Sequence, residues 1–187
     1  MYHAMIDIET LGRSTDAVIT SIGAFKFNPN GNDGSTLPTA AMDRCFHKYV
    51  SPESCIRAGM VMDPATIMWW MEQSAEARAL LVKGYKSSIE LRIALYDLNV
   101  FLQDAKQVWA HGTTFDIGIL NTAHTLLSRG TPWHYRDIRD TRTLTDLAET
   151  KSGSPILRTE PIVLHDALYD CIAQAVDVQQ CYRILDI

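Results

Sequence analysis

The chain has 187 residues, with 17 Lys and Arg against 22 Asp and Glu, a formal net charge of -5 and a hydrophobic fraction of 47%. That length suits one domain spanning 1–187 with a substantial buried core, and the composition excludes a disordered or collagen-like chain. Net acidity gives no basic footprint of the kind most nucleic-acid binders carry, no apolar run is long enough to span a bilayer, and the first five residues lack the basic and apolar regions of a signal peptide.

In chain order, residues 4–8 form a short apolar run with an acidic residue inside it, 18–27 alternate and are rich in β-branched and aromatic side chains, and 45–50 make a third candidate strand. The Gly-, Asn- and Pro-rich link over 28–40 reads as a surface loop. An antiparallel meander is therefore expected at the start. Asp63 and Pro64 suit a helix cap and first turn, followed by helical patterns over 65–71 and 75–81. Ser87 or Ser88 is expected to cap a longer helix running through Leu102. Residues 107–110 and the region of Ile138 read as short strands, each followed by a helix, over 116–128 and 141–149, and 164–185 as a long terminal helix. The expected fold class is α/β: a mixed β-sheet with three antiparallel strands first, then strands alternating with helices, flanked by helices. Cys45, Cys55, Cys171 and Cys181 have no zinc-type spacing. They are expected to be reduced thiols in a cytoplasmic protein.

Three acidic stretches carry the chemical signal. Asp7 and Glu9 are two apart, so on a strand they share a face. Two carboxylates side by side repel and resist desolvation unless a cation lies between them, and Mg2+ or Mn2+ prefers such hard oxygen ligands. A solvent-facing strand end is the plain alternative. Asp116 follows a turn and opens a helical pattern, where it could equally be a cap. His165 and Asp170 are five apart, about 140° around a straight helix, so they reach one point only if His165 precedes the helix or lies in its first turn.

Together these stretches resemble the 3′–5′ exonucleases named for four invariant acidic residues, in the branch with a histidine (DEDDh). Met5-Ile6-Asp7-Ile8-Glu9-Thr10 looks like the first motif, a strand carrying D-x-E-T. Ala110-His111-Gly112-Thr113-Thr114-Phe115-Asp116 looks like H-N-x-x-F-D with Gly112 in place of the Asn, and His165-Asp166-Ala167-Leu168-Tyr169-Asp170 looks like H-x-x-x-x-D, followed by Gln174-Ala175. Thr66-Ile67-Met68-Trp69-Trp70-Met71-Glu72-Gln73 and Arg139-Asp140-Thr141-Arg142-Thr143-Leu144 are similar to signatures of the small phage exonuclease A and ribonuclease T-like branch. The resemblance covers nearly the whole chain.

It implies a ribonuclease H-like sheet and a metal-dependent 3′–5′ exonuclease that releases nucleoside 5′-monophosphates from the 3′ end of single-stranded DNA or RNA. Asp7 would bridge two Mg2+ (or Mn2+) ions, Glu9 and Asp170 would complete the first, and Asp116 would hold the second. His165 would act as general base. Thr10 and Leu11 would border the terminal nucleotide. Phe115 has two readings, stacking beside a base and core packing. Trp69 and Trp70 are candidates for stacking, with at least one expected in the core. Arg136, Arg139 and Arg142 form a modest basic cluster that could touch phosphates, but Asp137 and Asp140 dilute it, which favours a solvated, salt-bridged face. His3, His47, His124 and His134 read as structural or surface residues. Several small relatives are homodimers, so a homodimer is one arrangement the resemblance allows; no membrane partner is expected. The competing readings are a non-catalytic nucleic-acid- or protein-binding module retaining the fold, and a phosphohydrolase acting on small phosphates.

Overall fold

β-Branched and aromatic side chains at the start of the chain form two long strands, β1 (Tyr2–Thr10) and β2 (Ile19–Phe27), joined to a shorter β3 (Cys45–Tyr49). The structure, a computed structural model, describes residues 2–33 and 39–187. β1 pairs antiparallel with β2, and β2 with β3, which is the expected meander. β4 (Ala105–Ala110) then pairs parallel with β1, and β5 (Ile138–Asp140) parallel with β4. The resulting order is β3-β2-β1-β4-β5, so β1 is central.

Helices cover both faces: α1 (Pro52–Ala58), α2 (Pro64–Glu72), α3 (Ala75–Ser87), α4 (Leu91–Phe101), α5 (Asp116–Leu126), α6 (Thr141–Ser152) and α7 (Ala167–Leu185). Ala4, Ile6 and Ile8 of β1 pack with Leu95 and Leu98 of α4 and Leu120 of α5. The alternate residue Met5 packs on the other side with Phe25, Trp109 and Ile172 of α7. Period-two alternation thus sends successive β1 side chains into two separate cores.

Gly23 decides how closely α7 approaches. It lies opposite Asp7 in the β1–β2 register. Any Cβ there would collide with the Ala167 carbonyl, so only glycine lets the first turn of α7 settle on the sheet beside Asp7.

Two sequence expectations are corrected, one lies partly outside the described residues, and one helix was not foreseen. The loop expected over 28–40 is described only in part: residues 34–38 lie outside the described residues, and a 3-10 helix begins at Thr39. Helix α1 was not anticipated, although Ser51 caps it by accepting from Ser54 N–H, Pro52 opens it and Gly59 closes it at φ 102°. Ser88 closes α3 rather than opening α4, its N–H bonded to the Tyr85 carbonyl, because Ile89 is drawn into an extended bridge with Val50. The terminal helix begins at Ala167, not at Leu164, because the Asp166 carboxylate accepts from Leu168 and Tyr169 N–H and caps it.

Candidate active site

β1 carries Asp7 and Glu9 on the face that α7 covers. The Asp166 cap starts α7 so that Asp170 lies in its first turn. One ligand oxygen from each of Asp7, Glu9 and Asp170 lies within 4.8 Å of the others. Gln174, one turn beyond Asp170 on the same helix face, donates from Nε2 to Asp7 Oδ1 at 3.0 Å. Its own Oε1 is buried without a hydrogen-bond partner.

Asp116 arrives from the other side of β1. It is the first residue of α5, and it does not cap that helix. The last β1 residue paired with β4 is Met5, and beyond it Ile8 N–H turns to Asp116 Oδ1 at 3.2 Å. Asp116 is 4% exposed.

The electrostatics fit a cation site. Burial pushes the Asp7 carboxyl well above the usual range; Asp116, Glu9 and Asp170 add to the rise, and the Gln174 hydrogen bond opposes it. Glu9 is raised to about 8, by burial first and then by Asp170, Asp116 and Asp166. Asp116 is raised to about 7 by burial, against the Ile8 N–H bond, and Asp170 to about 7 by burial and the Asp166 charge. Carboxyls this crowded hold protons near neutrality unless a divalent cation takes the protons' place. The donor set, all hard oxygens, suits Mg2+ or Mn2+.

His165 precedes the Asp166 cap in a left-handed conformation, φ 59°. It therefore escapes the 140° separation a continuous helix would impose. Its ring packs edge-on against Trp69 and Trp70, with centroids 5.2 and 5.7 Å away. His165 and Glu9 line one small cavity together with His47.

A cleft of about 450 Å3 opens beside the cluster, lined by Glu9, Thr10, Arg13, Trp69, Trp70 and Phe115 among others. Trp70 is the structural one of the two tryptophans: it is buried, and its Nε1 donates to the Thr10 carbonyl at 2.8 Å. Trp69 is 43% exposed. Thr10 Oγ1 is committed to the Gly12 carbonyl. Leu11 does not line this cleft; its side chain lines a separate apolar cavity with Val50 and Leu81. Phe115 packs on the core, as one of its two readings expected, and also lines the cleft. Among the arginines, Arg139 is tied to the carbonyls of Arg136 and Ile138, while Arg142 lies against Gly112. Sequence reading left Gln174 and Arg13 without a role at the site, and weighed Arg142 only as one member of a diluted basic cluster. For Gln174 the i, i+4 spacing from Asp170 was the available signal.

The model of the 3′–5′ exoribonuclease Rv2179c-like domain family matches residues 2–182. The chain belongs to this family. It is a 3′–5′ exonuclease with a ribonuclease H-like fold, the fold also of a solved DEDDh nuclease domain. It is 25% identical over 194 residues to an exodeoxyribonuclease of Enterobacteria phage T4, a match covering 91% of this chain and 85% of the phage protein. Among solved structures, it is similar to cell-death related nuclease 4 (CRN-4), with TM-score 0.67 and 12% identity over 98% of this chain and 64% of the other. The nuclease domain of 3′hExo bound to rAMP matches with TM-score 0.56 and 14% identity, covering 99% and 92% of the two chains. The metal-free E. coli ExoI–ssDNA complex matches with TM-score 0.60 and 8% identity, and there the chain spans 39% of the neighbour's length. These nucleases are generally dependent on divalent metal. Among the described residues no helix is long and apolar enough to cross a membrane.

Proposed function

We propose that this chain removes nucleoside 5′-monophosphates one at a time from the 3′ end of single-stranded nucleic acid, with Asp7, Glu9, Asp116, His165 and Asp170 as its catalytic residues. The observation that carries the reading is the meeting of Asp7, Glu9 and Asp170 oxygens within 4.8 Å, beside an open cleft. Asp7, Glu9 and Asp170, with Asp116 beside them, would hold divalent ions, Mg2+ or Mn2+. Asp116 Oδ1 is engaged by Ile8 N–H, so its second oxygen is the one left for that task. When bound, the ions stabilise the charge that develops on the phosphoryl oxygens.

His165 takes a proton from a water whose oxygen attacks phosphorus. The bond between phosphorus and the 3′ oxygen of the penultimate nucleotide breaks, and that oxygen gains a proton from solvent. The products are a 5′-monophosphate and a strand one nucleotide shorter. Packing against Trp69 and Trp70 holds the imidazole in place, since a free side chain outside the helix would sample many rotamers. Trp69, half-exposed at the cleft, offers a face on which a base stacks. The rAMP in the 3′hExo nuclease domain is in keeping with a mononucleotide product.

The test uses matched DNA and RNA oligonucleotides labelled at the 5′ end. Stepwise shortening in Mg2+ or Mn2+, stopped by chelator, is the expected result, and the relative rates give the polymer preference. Failure of both polymers to shorten would overturn the reading. Release of inorganic phosphate from monoesters, with oligonucleotides left intact, would mark a phosphohydrolase instead.

A further inference from the structure

Where the second motif carries Gly112, the structure has a guanidinium. Gly112 lies at φ 103°, and any Cβ there would collide with the guanidinium of Arg142, the second residue of α6. Glycine is required for its backbone conformation, and the room it leaves is taken by the far end of the exposed Arg142 side chain, which a Cβ would displace. The guanidinium is held from below: its Nη2 donates to the His111 carbonyl at 3.1 Å. The turn beneath it is tied to α6 as well, through Asp140 Oδ2, which accepts from Thr113 N–H at 2.9 Å, and through His111 Nδ1 and Thr141 Oγ1, 2.8 Å apart.

The charge has no ion-pair partner among the described residues, in contrast to Arg44 with Asp33 or Arg57 with Glu90, although its field reaches Asp140, whose carboxylate accepts from the Arg142 backbone N–H at 2.9 Å. Its side chain is exposed, and its field reaches Asp116, whose carboxyl it pulls downward against the effect of burial. A guanidinium offers five donors, of which one is spent here on a carbonyl. What remains is a fixed, unpaired cation with free donors beside a carboxylate cluster, a combination suited to a phosphate rather than to a neutral group.

We propose that the Arg142 guanidinium, seated over Gly112, binds a phosphate of the nucleic-acid strand on the Asp116 side of the carboxylate cluster. This rests on the exonuclease reading and adds a positioning residue to it. Arg142 fixes the strand and takes no part in proton transfer.

The experiment measures binding of a 5′-labelled oligonucleotide with Ca2+ in place of Mg2+ over a salt series, and steady-state kinetics in Mg2+. Arg142→Gln should weaken binding about tenfold and flatten the dependence of log K on log salt by about 0.7, the share of one phosphate on a single strand. KM should rise by a similar factor while kcat changes little. Arg142→Lys, which keeps the charge but not the fork, should retain the salt slope and recover part of the affinity. A double-mutant cycle with Gly112→Ala separates binding from folding: the extra affinity lost on adding the Cβ should vanish in the Arg142→Gln background, while the Tm cost of the strained backbone persists in both. Arg142→Gln with wild-type KM and salt slope would overturn the proposal even if cleavage were normal. Binding that depends on Arg142 without any shortening in Mg2+ would sink the exonuclease reading and leave the phosphate site standing; a chain that neither binds nor cuts would sink both.

Discussion

The two ends of β1 present the same face to the same helix and solve burial in opposite ways. At the first end lie His3 and Met5. His3 Nδ1 accepts from Trp109 Nε1 at 3.0 Å, and the rings of Phe27 and Tyr182 close over it. Burial, helped by Lys106 and Arg139, lowers its pKa to about 4. At the other end lie Asp7 and Glu9, whose carboxyls burial pushes upward. Both ends favour the neutral form, as a low dielectric must. They differ in what completes them. The neutral imidazole finds its donor within the protein, so that end is finished on folding. The carboxyls find one another and, among the described residues, the Gln174 amide, which leaves that end for a cation to complete under the proposed function.

Several measurements would break or sharpen that contrast. The largest effect is expected for Asp7→Asn, which should reduce cleavage to background while raising the Tm of the metal-free protein, because one member of a repelling cluster becomes neutral; near-normal turnover would end the metal assignment. His165→Ala should lower kcat by about 10²–10⁴, the usual share of a general base, with a smaller change in oligonucleotide affinity.

Stability against pH should separate the two ends directly. Glu9 near 8, and Asp116 and Asp170 near 7, bind protons in the folded state that the unfolded chain has already lost, so their contribution is full at low pH and is lost as pH rises through 7–8. His3, lowered from 6.5 to about 4, contributes fully above 6.5 and loses that contribution as pH falls through about 4. Thermal unfolding across pH with and without Mg2+ should therefore show a high-pH loss that the cation removes and an acid loss that it leaves untouched. Trp69→Ala should raise KM about tenfold, within the usual range for one stacked base, with little change in Tm. His3→Ala should be the mildest for activity: a Tm lower by a few degrees, from a lost buried hydrogen bond worth about 1 kcal/mol, and an unchanged kcat.

Much of the fold was legible because its signals are local. β1, β2 and β3 were readable from alternation and β-branched content, and α2 from Asp63 and Pro64 at its start. The start of α4 was not. Ser88 looks like a cap in one dimension, but pairing of Ile89 with Val50 holds that segment extended. The start of α7 was misread for a related reason, since Asp166 rather than an earlier residue satisfies the first amides. At the site, the acidic residues and the histidine were recognisable from motif spacing. Leu11 lines a cavity other than the cleft, and of the two tryptophans Trp70 is buried and bonded to Thr10 while Trp69 is half-exposed, a difference their shared neighbourhood could not show.

By itself the sequence determined which side chains could hold a cation and on which local elements they would ride, because caps, turn residues and period-two alternation act over a few residues. Only the tertiary structure decided that they meet. Gly23 admits α7 to the sheet beside Asp7, the divergence of β1 from β4 frees Ile8 N–H for Asp116, and the left-handed turn at His165 aims its ring toward Trp69 and Trp70. Each depends on contact between segments remote in the chain, where steric room and an unpaired amide, rather than residue type, set the geometry.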